Sequence, residues 1–176
     1  MSTIRRQGTY WRVADPQWED PFDGAWSMRR GGRWNAPGSF PVTYLNADLA
    51  TARANAERYL GVIGGLAIEV EDFDVSELPV AVPCVVREAT PLDVVTDSGC
   101  RSVGLPVTYP LDAAGHTVSH AICQPLGRQA YDNGQSGVAC RSAAMLPPAS
   151  GEELAWFDRR GARLVASGEP IPMVPV

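Results

Sequence analysis

The 176-residue chain contains no lysine: all fifteen of its basic residues are arginine. That absence excludes chemistry built on a lysine amine, including Schiff bases, pyridoxal attachment and the phosphate-binding lysine of a P-loop. A phosphorylated ligand would have to be held by guanidinium forks, which match phosphate geometry and stay charged at any working pH. A basic surplus is missing as well. Fifteen arginines against twenty acidic residues leave a net charge of −5, with the arginines scattered apart from the pairs Arg5-Arg6, Arg29-Arg30 and Arg159-Arg160. This balance argues against a dedicated nucleic-acid or anionic-membrane binder.

Long apolar runs are absent, and the N-terminal Met-Ser-Thr-Ile-Arg-Arg-Gln-Gly has no stretch suited to a signal peptide. The expected location is therefore the cytoplasm, with the thiols reduced. Cys84, Cys100, Cys123 and Cys140 stand far apart without a C-x-x-C spacing, which suggests neither a zinc knuckle nor a redox pair. Only His116 and His120 supply imidazoles; with Cys123 nearby they complete no carboxylate-containing motif, and no metal is expected. What is present is the composition of one globular domain, 45% hydrophobic and 20% charged, long enough to bury a core unaided.

Glycine and proline punctuate the chain often, so its elements are expected to be short. Thr9 to Val13 reads as a strand with Tyr10 and Arg12 on one face. Asp15 to Gly32 reads as an ordered loop. Pro41 to Leu45 is a second strand, in which Val42 and Tyr44 share a face. Asp48 caps a helix running to about Leu60, with Leu49, Ala52, Ala56 and Tyr59 at helical spacing and Gly61 ending it. Leu66 to Glu71 alternates as a half-buried strand. Val80 to Val86 is another, demoted toward an edge by Pro83. No element is assigned from Asp97 to Gly115. A short helix is expected from Pro125 to Asn133-Gly134, and a strand from Gly137 to Ser142. Ser150-Gly-Glu-Glu153 has capping-box spacing, which predicts a helix through Trp156 and Phe157 ahead of an extended tail from Glu169. Strands outnumber helices without regular alternation, so the expected class is α+β.

The strongest local signal is Gly31-Gly32-Arg33-Trp34-Asn35-Ala36-Pro37-Gly38, followed by Tyr44 on a strand. Glycines let a backbone approach a ligand closely, an arginine offers an anion fork, and the aromatics offer faces for a flat ring. A tight turn between two core strands needs the same glycines and proline, so this segment by itself leaves both roles open. Arg12 sits at mid-strand, where a charge is costly unless it is paired, faces a cleft or lies on an edge strand in water. Ser142 ends an apolar strand with no G-x-S-x-G around it, so a hydrolase elbow is not supported.

Taken in order, these segments resemble the RES-domain family, named for an arginine, a glutamate and a serine and known as toxins of Xre-RES toxin-antitoxin pairs. Tyr10-Trp11-Arg12-Val13 is similar to the family's opening strand, and Gly31 to Gly38 to its Gly-Gly-Arg-Trp-Asn-x-Pro-Gly motif. Pro41-Val-Thr-Tyr44-Leu45, Cys123-Gln-Pro-Leu-Gly127 and Gly137-Val-Ala-Cys-Arg-Ser142 match the tyrosine strand, the late helix and the serine strand. The likeness covers about residues 9 to 145 of what is expected to be a single domain over 1–176. It implies a fold related to ADP-ribosyltransferases: twisted, short-stranded sheets with a few short helices.

The resemblance also implies a substrate, NAD⁺, whose nicotinamide-ribose bond breaks with inorganic phosphate as acceptor; some members are described as transferring ADP-ribose to a protein instead. Carried over by position, Arg12 and Arg33 would hold the phosphates, Tyr44, beside Trp34, would stack on nicotinamide, and Ser142 would orient the ribose. The implied partner is an Xre-like antitoxin; no direct contact with nucleic acid or membrane is expected, and self-association is left open. One departure stands out. The family's glutamate on the helix after the tyrosine is Asn55 here, and an amide accepts or donates hydrogen bonds but brings no charge. Glu57 lies two positions on, about 200° round a regular helix. Three readings follow: a weakened enzyme with Asn55 in the site, an enzyme using Glu57, or a relative that only binds a nucleotide or partner. On the first, restoring a carboxylate with Asn55→Glu is expected to raise turnover.

Overall fold

A computed structural model describes residues 1–59, 61, 78–159 and 163–173. Its strands are β1 (Arg6–Ala14), β2 (Val42–Asn46), β3 (Val80–Ala89), β4 (Leu92–Val94), β5 (Gly137–Arg141), β6 (Glu152–Phe157) and β7 (Ile171–Pro172). They form one mixed sheet in the order β4-β5-β6-β2-β1-β3-β7, parallel between β4 and β5 and antiparallel elsewhere. Four helices accompany them among the described residues: α1 (Ala25–Arg30), α2 (Leu49–Tyr59), α3 (Asp97–Ser102) and α4 (His120–Asp132). The class is α+β, as expected.

The period of two along each strand separates two apolar layers. Val42, Val94, Val138, Cys140, Ala155 and Phe157 point to one face, where Cys123 and Ala130 of α4 complete the larger core. Tyr10, Ala14, Leu45, Ala139 and Leu154 point to the other, closed by Phe22 and Leu164. Ala52 and Ala56 of α2 pack over β1 and β3, against Trp11, Val13 and Ala81.

Most expected strands are found, with a few corrections. The helix expected from Ser150 through Phe157 does not form: Glu152–Phe157 is the central strand β6, paired with β2 on one side and β5 on the other. Leu154, Ala155 and Phe157 are buried there, and two neighbouring strands supply ladder bonds that outweigh a local capping preference. The 15–32 segment is not loop throughout but holds α1, whose Ser27 is buried and donates to the Val42 carbonyl at 2.6 Å. Helix α4 begins at His120, ahead of Pro125, because Cys123, Gly127 and Ala130 bury one face and tertiary packing offsets the internal proline.

Helix α2 ends at Tyr59, and Asp48 caps it by accepting from Thr51 N at 2.7 Å, although Leu49 is exposed. Strand β3 is not an edge: β7 pairs with its first two residues, and the Pro83 carbonyl accepts from Ser167 N. The unassigned 97–115 region contains α3, with Thr96 as its cap. The strand expected over Leu66 to Glu71 lies outside the described residues.

Candidate functional site

A cleft of about 480 Å³ opens where α1, α2 and the start of α4 converge on the ends of β1, β2 and β6. Its first wall is the glycine-rich segment. Gly31 takes a φ of +76° and returns its N–H to the Ser27 carbonyl, closing α1. Gly32 follows, and a Cβ there would overlap the Tyr44 hydroxyl and stand 2.8 Å from its ring. Asn35 is fully buried, and its Nδ2 donates to the carbonyls of Ser27 (2.9 Å) and Phe40 (3.1 Å). The Tyr44 hydroxyl donates to Asn35 Oδ1 at 2.9 Å and accepts from Trp34 N at 3.0 Å. Burial pushes the Tyr44 phenol well above its ordinary pKa.

This network divides the motif's work. Asn35 and the Tyr44 hydroxyl hold the turn, while the Tyr44 ring and Arg33 line the cleft. Trp34 does not line it: the indole is fully buried in the larger core, 6.1 Å from the Tyr109 ring. The turn and the cleft lining thus fall to different residues of the segment.

Three guanidinium groups line the cleft. Arg12 leaves β1 to donate to the carbonyls of Tyr44 (3.0 Å) and Pro21 (3.2 Å), and its cation lies 5.6 Å from the Trp18 ring. Burial lowers its pKa to about 10, which still leaves it charged at neutral pH. Arg33 donates to the Val118 carbonyl at 2.8 Å, and Arg58 to that of Ala143 at 3.1 Å. Among the described residues none of the three forms an ion pair. His120, at the start of α4, also lines the cleft; burial lowers its pKa, and the Arg33 and Arg58 cations lower it further. Converging cations of this kind suit an anion, and here they gather in a protein whose net charge is −5.

Among the described residues, one carboxylate, Glu153 of β6, lines the cleft with these cations. Its Oε1 accepts from Ser142 Oγ at 2.5 Å and from Asn55 Nδ2 at 3.1 Å. Asn55 therefore does reach the cleft, as its position in the sequence suggested. Ser142 is completely buried and meets the site through Glu153. Glu57 is half-buried and is not among the residues lining the cleft.

Sequence reasoning missed Glu153 because it placed the residue in a capping box. The competing signal was the apolar content of Leu154-Ala-Trp-Phe157, which suits a strand buried on both faces. Asn46, Arg58 and His120 were also missed as site residues, since only the fold brings the ends of β2, α2 and α4 together. His116 lies apart on an exposed turn beside Asp112. Among the described residues no group of three or more His, Cys, Asp or Glu side chains is placed to hold a metal ion, and no helix is long and apolar enough to cross a membrane.

No curated protein sequence matches significantly. Among solved structures, a chain from the crystal structure of the M. tuberculosis MbcT-MbcA toxin-antitoxin complex superposes with a TM-score of 0.69 at 23% identity, covering 96% of this chain and 85% of that one. At that identity the likeness establishes the fold. The family model for the RES domain matches residues 9–175, a span that holds the glycine-rich turn and every cleft residue named above, and the chain belongs to the RES-domain family.

Proposed function

We propose that the protein cleaves NAD⁺ at the nicotinamide-ribose bond, with inorganic phosphate as acceptor. The observation that carries this reading is the distribution of charge in the cleft: among the described residues Arg12 and Arg33 stand unpaired by any carboxylate beside the Tyr44 ring, and a single carboxylate lies opposite. Guanidinium forks suit the dinucleotide's diphosphate and the attacking phosphate. The Tyr44 face suits the nicotinamide ring, because its hydroxyl is already engaged in holding the turn.

In the reaction the C1″–N bond breaks, and its electron pair leaves with nicotinamide, which departs neutral. The ribose develops oxocarbenium character, and a phosphate oxygen forms the new bond to C1″, giving ADP-ribose 1″-phosphate. No proton need be supplied to the leaving group. Arginines that do not titrate near neutrality are therefore no handicap, and catalysis rests on orientation and electrostatics.

The fold shared with a chain of a toxin-antitoxin complex supports a toxin role for this chain, held inactive by an Xre-like antitoxin over the open cleft. The decisive experiment incubates the protein with NAD⁺, with and without phosphate, and follows nicotinamide release. Phosphate-dependent release is the expected result. Release that needs no phosphate, with ADP-ribose retained on a protein band, would indicate transfer to a protein, and no release in either case would refute the enzyme reading.

A further inference from the structure

The departure at position 55 has a structural counterpart on another element. Asn55 Nδ2 lies 2.8 Å from Asn46 Oδ1 and 3.1 Å from Glu153 Oε1. The orientation of Asn46 is set independently, because its own Nδ2 donates to the Trp11 carbonyl at 3.0 Å. Asn46 therefore presents an oxygen to Asn55, and Glu153 presents another. With the Thr51 carbonyl at 3.3 Å, three acceptors converge on position 55, two of them from side chains of the sheet, and only a donor satisfies them. A carboxylate there would meet oxygen on two sides, whereas the amide of asparagine complements them.

Glu153 is held as firmly. It is the cross-strand neighbour of Asn46 on β2 and of Cys140 on β5. Ser142 Oγ donates to it and is itself fixed as an acceptor for Ala144 N at 3.1 Å. The bonds from Ser142 and Asn55 both fall on Oε1; among the described residues Oε2 accepts none. The carboxylate is thus oriented through one oxygen, and among the described residues it is the only one lining a cleft that also holds Arg12, Arg33 and Arg58.

We propose that Glu153 is the catalytic carboxylate of this cleft, which faces the cationic ribose of the substrate, and that Asn55 and Ser142 are positioning residues for it. The proposal rests on the NAD⁺ reading and deepens it. The charge expected on α2 is supplied from β6 instead, so Asn55 is part of the arrangement and not a lesion in it. The expected effect of Asn55→Glu is then reversed. Two carboxylates about 3 Å apart cannot both ionise, and one proton must be shared between them.

The test compares Glu153→Gln and Asn55→Glu with the unmodified protein. For Glu153→Gln, which keeps the shape and removes the charge, kcat for nicotinamide release should fall about 10²- to 10³-fold, the usual loss for a group stabilising transition-state charge, while KM for NAD⁺ changes little. Asn55→Glu should lower turnover and add to the pH-rate profile an ionisation above the ordinary carboxylate range, a change that a merely structural residue would not produce.

A second readout does not depend on turnover. An ADP-ribose analogue carrying a protonated pyrrolidine in place of the terminal ribose should bind the unmodified protein more tightly than ADP-ribose does, and Glu153→Gln should abolish that preference. Undiminished kcat and preference in Glu153→Gln, or faster turnover in Asn55→Glu, would overturn the role of Glu153 while leaving the NAD⁺ reading standing. A protein that releases no nicotinamide but shows the Glu153-dependent preference would refute turnover and retain the cation-facing carboxylate.

Discussion

Replacing Gly127 by alanine sets two effects of opposite sign against each other. Gly127 is a buried residue inside α4, and an alanine in a helix interior is ordinarily worth about 1 kcal/mol over glycine. Here, however, a Cβ would overlap the carbonyl oxygen of Trp34 and lie 2.8 Å from its carbonyl carbon and 3.1 Å from its Cα. These are backbone atoms of the turn that carries Arg33, so no flexible side-chain end can swing aside. Either α4 or the turn must move by on the order of 1 Å, which also loosens Cys123 and Ala130 from the core. Overpacking of this kind costs up to about 3 kcal/mol. Less the helical gain, Gly127→Ala should destabilise the fold by about 2 kcal/mol, lowering Tm by about 4–8 °C for a chain of this size. Thermal unfolding followed by circular dichroism measures this, with Gln129→Ala on the exposed face of the same helix as a control expected to change Tm little. Affinity for NAD⁺ should fall in parallel because Arg33 moves. A Tm equal to or above that of the unmodified protein would refute the argument, showing that helix propensity outweighs the close approach.

Other substitutions separate roles within the cleft. Tyr44→Phe removes the hydroxyl that serves Trp34 N and Asn35 Oδ1 and should cost about 1–3 kcal/mol of stability in urea unfolding, while NAD⁺ affinity of the folded protein, carried by the ring, changes by only a few-fold. Arg12→Gln should weaken both NAD⁺ and ADP-ribose about 10- to 100-fold in calorimetric titration, the worth of a charge-assisted bond, and leave free nicotinamide unaffected. His120 is neutral at pH 7, because burial and then the Arg33 and Arg58 cations hold its pKa below 6.5. As pH falls below that value the unfolded chain takes up its proton first, so the free protein loses stability in that window. A bound diphosphate favours the protonated form, so NAD⁺ affinity should rise as pH falls below 6.5 and stay flat in His120→Gln, as calorimetry at two pH values would reveal.

Much of the molecule was legible in local sequence. The apolar and β-branched residues of Thr9–Val13, Pro41–Leu45 and Gly137–Ser142 marked β1, β2 and β5, whose successive side chains point to the two apolar layers in turn. The glycine-rich segment was recognisable because close approach of Gly32 to Tyr44 leaves room for no other residue. The reading failed where long-range partners overrode local preference. Ser150 to Glu153 has the spacing of a helix cap, yet β2 and β5 stand on either side and draw Glu152–Phe157 into the sheet. Pro125 looked like a helix start, yet the apolar face of α4 extends the helix back to His120.

The sequence by itself determined the chemical inventory: no lysine, arginine as the sole strong cation, an aromatic behind paired glycines, and an asparagine where a glutamate was expected. The first three follow from composition and short-range spacing, which a chain carries before it folds, and the last from the resemblance to the RES-domain family. Only the tertiary structure decided which of those groups meet. Trp34 went to the core and Arg33 to the cleft although they are adjacent, since the chain bends at 33–35 between the core and the cleft wall. Asn55 and Glu153, 98 positions apart, came within 3.1 Å because α2 lies over the end of a sheet in which β6 is the neighbour of β2. Hydrogen-bond complementarity between such distant residues is a property of their packing, and no local pattern encodes it.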